Sequence, residues 1–285
     1  MKKILFSAIA AVVLMSTFTS CSNDDNNDST AKFEEQTFST WSKVVFAYGN
    51  MFDDDETLTV NENSVTFHSD TWGDGTFNVN ALTPNADGTY KVTATGTITM
   101  AGHGEPKAYD ATLSGDITKS AQTFTITIPA VMGGTTLNVT AGEIPLAAAI
   151  DGTYKGGTYA NSKYFQHYQP IEGEKASIKA NDDLTSSSLS YTSATWGTFT
   201  FDNVNVTKNE DGSYLLTAEG NTLMPGMGGG DPKEYAATLE GTLSNGTLVA
   251  TFAVPSVMGG TTVYFNADDF EEVLAAAQTE EETKK

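Results

Sequence analysis

The sequence predicts an all-β protein made of two tandem copies of one antiparallel domain of about eight strands, followed by a short C-terminal helix. Two observations predict this class: an internal repeat and a period-two alternation of apolar and polar residues. Thr71-Trp72-Gly73 recurs 124 residues later as Thr195-Trp196-Gly197, and residues 131–136 recur 126 residues later as residues 257–262. Because the shift changes by only two over about sixty residues, the repeat indicates a duplicated fold.

The repeat also sets the expected boundaries, and each copy is long enough to bury a core without disulfides. We expect a signal segment, a polar tether, two repeats separated by a linker, and a helical tail. In that order these are residues 1–20, 21–35, 36–142, 143–151 (the linker), 152–268 and 269–285.

The alternation is clearest over residues 89–100. One face carries Tyr90, Val92, Ala94, Gly96, Ile98 and Met100. The other face carries a lysine and threonines, which is typical of an antiparallel strand with one solvated side. Eight such consecutive strands suit an up-and-down barrel or a sandwich.

Several local features are predicted in the same way. A slip in apolar parity between Phe201 and Val204 predicts a β-bulge near Asp202-Asn203. The Gly-Gly pairs of the repeated 131–136 motif predict hairpin turns with positive φ. Strands are expected over residues 154–160, 176–180, 184–191 and 198–206, and acidic hairpin tips at residues 53–56 and 181–183. Residues 146–149 are expected to form a turn of helix or a linker.

The amino terminus has the pattern of a targeting segment. Lys2 and Lys3 precede an apolar run over residues 4–15, which is too short to span a bilayer, and Cys21 follows. This position resembles a bacterial lipobox, so we expect Cys21 to be acylated; the alternative is a cleaved secretory peptide with an incidental cysteine. Residues 22–30 contain no apolar side chain and indicate a solvated tether.

Charge narrows the classes of partner. Without the two lysines of residues 1–20, 13 Lys+Arg remain against 36 Asp+Glu, a net charge of 13 − 36 = −23, and no basic residue is an arginine. An acidic surface repels phosphate backbones and anionic headgroups, so nucleic acid is excluded as a partner and membrane contact is expected through the lipid anchor only. Anionic ligands are disfavoured because the bidentate guanidinium fork is missing.

The sequence shows no catalytic constellation. His68, His103 and His167 are not at metal-ligand spacing from one another, and no Gly-x-Ser-x-Gly motif marks a nucleophile. The Gly-rich run 226–230 lacks the Lys-Ser/Thr of a phosphate loop. The acidic tips could hold Ca²⁺ but lack the Asp-x-Asp-x-Asp-Gly spacing, and solvated turns explain them. We therefore expect no enzyme, no metal and no cofactor.

Small residues on the inward faces allow two interpretations. They either let strands bend at barrel corners or leave volume for a ligand. If a cavity exists, its mouth is expected to be lined by one aromatic–methionine trio from each repeat. These candidate binding residues are Trp72, Met100 and Tyr109, and Trp196, Met224 and Tyr235. Such side chains suit a small neutral or apolar ligand or a glycan.

Four motifs of the second repeat carry a family resemblance. They are Tyr154-Lys155-Gly156-Gly157, a Trp-Gly-Thr-Phe-Thr-Phe run from Trp196, the Asp211-Gly212-x-Tyr turn and the Gly-rich hairpin. They resemble the calycin-like β-barrel lipoproteins of Bacteroidota, and the acidic tract after Cys21 resembles a surface-export signal of that phylum. The resemblance implies two calycin/lipocalin-like barrels anchored on the outer membrane and facing outwards. It implies no defined activity.

Two functions remain open at this stage. One is a surface-anchored, non-enzymatic lipoprotein that binds a small neutral ligand or glycan in its barrels. The other is a structural or interaction module with filled barrels, whose loops contact another surface protein.

Overall fold

The computed structural model describes residues 33–100, 105–225 and 230–283, with side chains placed as far as residue 279. These residues form two closed, eight-stranded antiparallel barrels in tandem, which confirms the predicted fold class. The predicted signal segment, Cys21, most of the predicted tether and His103 lie outside the described residues.

In the first barrel each strand pairs with the next along the chain, and the last strand pairs with the first to close the cylinder. Its strands are β1 (Gln36–Phe46), β2 (Gly49–Val60), β3 (Ser64–Ser69), β4 (Gly73–Pro84), β5 (Tyr90–Met100), β6 (Lys107–Ile117), β7 (Gln122–Ile128) and β8 (Thr135–Ala141).

The second barrel repeats this up-and-down order and closes through the pairing of its last strand with its first. Its strands are β9 (Gly152–Asn161), β10 (Tyr168–Ala180), β11 (Ser187–Ser193), β12 (Gly197–Lys208), β13 (Tyr214–Met224), β14 (Lys233–Ser244), β15 (Thr247–Val254) and β16 (Thr261–Phe265).

Two helices accompany the barrels. The short helix α1 (Leu146–Ala149) confirms the predicted turn of helix, and it contacts β2, β10 and β12. Helix α2 (Phe270–Thr283) packs on the second barrel, where the Tyr159 hydroxyl donates to Asp269 at 2.7 Å. In the part of the chain that the structure describes, neither helix is long and apolar enough to cross a bilayer.

Alternation along the strands places the core inside each barrel. In β5 the residues at Val92, Ala94, Ile98 and Met100 are buried while the intervening threonines are exposed, as their period-two spacing predicts. The Gly-Gly turns adopt the predicted positive φ, and the methionine before each pair, Met132 and Met258, does so too, with φ of 48° in both.

The predicted bulge in β12 is confirmed. Leu189 of β11 faces Phe201 while Ser187 faces Val204, so one extra residue is inserted at Asp202-Asn203. The first barrel has the same irregularity in β4, between Val79 and Ala81.

Two local predictions are wrong, and one is confirmed. Residues 53–56 are not a hairpin tip but lie inside β2, at a bulge whose Asp55 has φ of 59°. The turn preference of aspartate is expressed here as a left-handed bulge residue. Leu184, expected to begin a strand, lies in the turn before β11, with φ of 60°. The acidic tip at residues 181–183 is confirmed as a turn between β10 and β11.

Candidate functional site

The two repeated Thr-Trp-Gly motifs form the tight turns from β3 to β4 and from β11 to β12. In the first barrel Ser69 Oγ accepts the backbone N–H of Trp72 at 2.9 Å, and in the second Ser193 Oγ accepts that of Trp196 at 3.3 Å. We call the end of each barrel that carries this turn the tryptophan end. The last residues of β5 and β13 and the first residues of β6 and β14 lie at the same ends.

The structure brings each predicted trio to a tryptophan end. Trp72 and Trp196 are buried beside the last residues of β5 and β13, which are Met100 and Met224, both also buried. In the second barrel, Trp196 and Met224 belong to the apolar core, and Tyr235 packs against it half-buried. Tyr109 of β6 is half-buried as well. Contact of these six residues with a ligand stays a prediction.

The indole N–H groups of the two tryptophans have an unusual environment. Both Nε1 atoms are buried, and neither has a hydrogen-bond partner among the residues that the structure describes. An unsatisfied buried donor costs about 1–3 kcal/mol. Both barrels thus carry an unsatisfied indole N–H, with its cost in stability, at the same place in the repeat.

The opposite end of each barrel differs because its repeated residues satisfy one another. In the turn from β4 to β5, Asp87 accepts the backbone N–H of Thr89 at 3.0 Å and its hydroxyl at 2.7 Å. Asp211 and Ser213 make the same two bonds at the same distances in the second barrel. These bonds lower the pKa of both aspartates. Turn geometry alone therefore explains why these residues recur.

Each barrel also contains an inward-facing glutamate that the sequence reasoning missed. Leu58 pairs with Phe67 and Ala176 pairs with Tyr191, so these pairs correspond by register. Glu56 and Glu174, two residues before Leu58 and Ala176, therefore occupy equivalent places. A left-handed bulge residue precedes each one, Asp55 in the first barrel and Gly173 in the second. The alternation Glu56, Leu58, Val60 was the signal that could have found the site, since it puts a carboxyl on the apolar face.

The glutamate of the first barrel is almost completely buried, with 1% of its surface exposed. Ser42 Oγ donates to Glu56 Oε1 at 2.7 Å, whereas Oε2 has no donor among the described residues. Burial is the main cause that raises the pKa of Glu56 to about 8. The Ser42 hydrogen bond lowers it by less than burial raises it, and the nearby Asp53 carboxylate adds a smaller upward effect. Glu56 is therefore protonated at pH 7.

The glutamate of the second barrel accepts two hydroxyls. Thr158 Oγ1 donates to Glu174 Oε2 at 3.0 Å, and the Tyr191 hydroxyl donates to the same oxygen. Burial and the bond to Glu174 raise the pKa of Tyr191, so its hydroxyl keeps its proton. Thr158 corresponds to Ser42, since they pair with Phe265 and Val139 at matching places. A hydroxyl–glutamate pair is thus common to both barrels.

The inward glycines support the bending interpretation at the places where they lie. A Cβ on Gly96 or Gly220 would collide with the carbonyl oxygen of the neighbouring strand, at Thr76 and Thr200 respectively. A Cβ on Gly115 would collide with the Phe124 ring. These glycines therefore leave no free volume, because neighbouring backbone or an aromatic ring fills it.

The remaining chemical candidates have ordinary surroundings. His68 lies on the outer face, where Nδ1 is 2.6 Å from Asp74, and that hydrogen bond raises its pKa. His167 Nε2 is 3.8 Å from Asp269. Within the described segments, no group of three or more His, Cys, Asp or Glu side chains is placed to hold a metal ion.

Comparison with known proteins gives the family. The model of the Calycin-like beta-barrel domain matches residues 51–142 and 150–267, so the chain belongs to this family and carries two copies of its domain. The family is one of barrel domains and not a family of enzymes. No curated protein matched the sequence.

Two solved structures are similar to this chain. A candidate outer membrane protein from Bacteroides fragilis is 24% identical, with a TM-score of 0.59 over 81% of this chain and 95% of its own, and it supports the fold. A mutant of transferrin binding protein B from Haemophilus parasuis is 10% identical, with a TM-score of 0.19 over 81% of this chain and 64% of its own. The second likeness is too low to support an argument.

Proposed function

We propose that this protein is a surface-anchored, non-enzymatic lipoprotein of the outer membrane that binds a small neutral or apolar ligand, or a glycan, at the tryptophan ends of its barrels. The observation that carries the proposal is the pair of buried indole N–H groups of Trp72 and Trp196 without partners among the described residues. A ligand oxygen at each mouth would accept these hydrogen bonds.

Tryptophan differs from phenylalanine at these positions by a second ring that carries an N–H donor. A phenylalanine would fill much of the same apolar space without burying an unpaired donor. Retention of tryptophan in both copies therefore favours a role for the N–H itself. Both barrels also place a tyrosine in the connection between their first two strands, and its side chain is exposed: 85% for Tyr48 and 72% for Tyr164. Flat, exposed rings at the same end of each barrel as the donor suit a sugar or another neutral molecule.

Variants of the full-length protein test this proposal. We expect Trp72→Phe and Trp196→Phe to reduce ligand binding. Their effect on thermal stability should be modest, because removing an unsatisfied donor offsets part of the loss of buried ring atoms. The matched control is Trp41→Phe, since Trp41 lies on β1 and packs against Phe52 with ring centroids 6.3 Å apart. Native mass spectrometry of protein isolated from its own host measures the bound mass. An equal bound mass in wild type and in the double Trp→Phe variant would contradict the proposal.

Anchoring is tested separately. Lys2, Lys3, the apolar run and Cys21 support export and acylation. Cys21→Ala is expected to release the mature protein from the membrane fraction, and protease treatment of intact cells is expected to degrade the wild type. Survival of the wild type until the outer membrane is broken would contradict surface exposure.

A second candidate is an interaction module with filled barrels that contacts another surface protein. The close packing around Gly96, Gly115 and Gly220 favours it. The loop between β13 and β14 is two residues longer than its counterpart, because the repeat shift rises from 124 to 126 there. Replacing residues 225–231 with the first barrel's loop would abolish capture of such a partner, whereas binding of a small ligand inside the barrels would remain.

A further inference from the structure

We propose that a polar recess inside the first barrel, between Thr40 and Glu56, receives one hydroxyl group of a neutral sugar. The inference rests on the proposed function and deepens it, since it names the ligand group and the barrel that holds it. In the second barrel a side chain of the protein supplies the corresponding hydroxyl.

In the second barrel the glutamate has two hydroxyl donors. One comes from Thr158 on the first strand and the other from Tyr191 on the third. The first barrel keeps the first-strand donor as Ser42. The third-strand position is Phe67, which carries the same ring without a hydroxyl. One donor is therefore missing beside Glu56.

The first barrel has an extra polar group at the same place. Thr40 is the direct cross-strand partner of Glu56, whereas the partner of Glu174 is Gly156. Thr40 is buried, and its Oγ1 has no partner among the described residues, while Glu56 Oε2 receives no donor from them. Two paired residues on the inner face have Cβ atoms about 5 Å apart, so one bound oxygen can bridge both side chains. A hydroxyl fits because it both donates and accepts.

Hydrogen bonds link residues near the recess to the turn at the tryptophan end. Ser69 Oγ accepts the N–H of Trp72 and donates to Asp53 Oδ2 at 2.8 Å. Asp53 lies near Glu56 and also accepts the Thr71 hydroxyl at 3.0 Å. A sugar that accepts the Trp72 indole N–H with one oxygen would thus have a second polar site deeper in the same barrel.

Charge favours a neutral group over an anion at this place. Glu56 is protonated at neutral pH, and the Asp53 carboxylate beside it would repel an anionic ligand. Asp53, whose two oxygens accept the hydroxyls of Ser69 and Thr71, also shares a hydrogen bond with the Glu56 carboxyl. A ligand hydroxyl can replace that contact without burying a new charge, which a cation or anion cannot do.

Reciprocal variants of the full chain test the inference. The probes are four neutral methyl glycosides: glucoside, galactoside, mannoside and N-acetylglucosaminide. Binding is detected by saturation-transfer NMR and measured by calorimetry. Phe67→Tyr supplies the missing hydroxyl from the protein, so we expect at least about tenfold weaker binding of the glycoside that binds wild type. Thr40→Val, which removes a hydroxyl at nearly constant shape, is expected to weaken binding as well. Tyr191→Phe, in the other barrel, is the matched control and should leave this affinity unchanged.

The outcomes separate this inference from the proposed function. If Phe67→Tyr and Thr40→Val bind the glycoside as wild type does while Trp72→Phe does not, the recess is refuted and the proposed function stands. If the Trp→Phe variants also bind as wild type, both are refuted. If no glycoside binds at 10 mM, or if a crystal structure with bound glycoside shows only a water between Thr40 and Glu56, the recess is refuted. Circular dichroism checks that each variant folds. If Phe67→Tyr does not fold, the glycoside affinity of Thr40→Val tests the recess in its place.

Discussion

The two barrels share their backbone plan more closely than their packing. Strand order, the bulge before the inward glutamate and the two Trp-Gly turns recur. The interiors differ, since three aligned inward positions carry smaller residues in the first barrel and phenylalanines in the second. The aligned pairs are Gly75 and Phe199, Ile126 and Phe252, and Val139 and Phe265.

The difference is compensated elsewhere in the core. The second barrel stacks Tyr191 on Phe252 with ring centroids 5.0 Å apart, and Phe199 lies 5.2 Å from Phe252. The first barrel instead has Phe124 opposite Gly115, where the second has Ala250 opposite Gly241. Core volume is thus redistributed between strands, whereas the bulges and turns that fix the backbone are kept. A closed barrel tolerates a redistribution of core volume more readily than a change in the bulges and turns that fix its backbone.

The largest expected difference between the barrels is in pH dependence. Burial raises the pKa of Glu56 from the ordinary glutamate value of 4.5 to about 8, so between these values the folded protein holds a proton that the unfolded chain has released. The stability of the first barrel should therefore be highest below pH 4.5 as far as this group is concerned. It should fall with rising pH by up to about 1.4 kcal/mol per pH unit until pH 8.

Glu56→Gln tests this prediction because it keeps an oxygen for Ser42 and removes the titration. Urea unfolding between pH 5 and pH 8 should show a flatter pH dependence in the variant than in wild type. An identical slope in both proteins would show that Glu56 is not the titrating group.

The next prediction concerns the compensated packing. Gly115→Ala forces a methyl group into the Phe124 ring and should destabilise the first barrel by about 3 kcal/mol. The matched variant Gly241→Ala places its Cβ 3.2 Å from that of Ala250 and 3.1 Å from the Val249 carbonyl, contacts that a small shift can relieve. We expect it to cost less than about 1 kcal/mol. Thermal and urea unfolding measure both, and equal losses would contradict the account of redistributed volume.

A smaller effect is expected at the Tyr191 hydroxyl. Tyr191→Phe leaves Glu174 with Thr158 as its remaining donor in the network and should destabilise the second barrel by about 1–2 kcal/mol. Phe67→Tyr, its reciprocal, should leave the first barrel as stable as wild type or slightly more so. Urea unfolding measures the stability of both variants. A Tyr191→Phe variant more stable than wild type would show that the bond from Tyr191 to Glu174 does not stabilise the second barrel.

The fold was largely predictable because its signals are local. Alternation over residues 89–100 predicts β5, and the parity slip near Asp202-Asn203 predicts a bulge that the structure confirms. The prediction of a hairpin tip at residues 53–56 was wrong, because turn preference does not distinguish a hairpin tip from a bulge inside a strand. Closure of β1 on β8 joins residues nearly 100 positions apart, so no local pattern contains it.

The candidate site was predictable only in part. The tryptophan and methionine positions follow from the repeat, since the shift of 124 links Trp72 to Trp196 and Met100 to Met224. The glutamates recur at a different spacing, 118 residues, because the β10–β11 connection and its flanks differ in length from the β2–β3 connection. Which hydroxyl bonds which carboxyl depends on register across three strands, and Tyr191 differs from Phe67 by one atom that matters only in that register.

The smallest expected effect is at the opposite ends of the barrels, where the two copies should behave alike. Hydrogen bonds from Thr89 and Ser213 lower the pKa of Asp87 and Asp211 below 3.8, so this contribution to stability is present above that pH and is lost as the pH falls. Asp87→Ala and Asp211→Ala should therefore lower the melting temperature slightly and equally at pH 7, with no effect on ligand binding, because both groups are fully exposed turn residues. Calorimetry at pH 7 and pH 3 measures the change. A loss of glycoside binding in either variant would move the functional end of the barrel away from the tryptophans, because these aspartates lie at the opposite ends and are satisfied by their own turns.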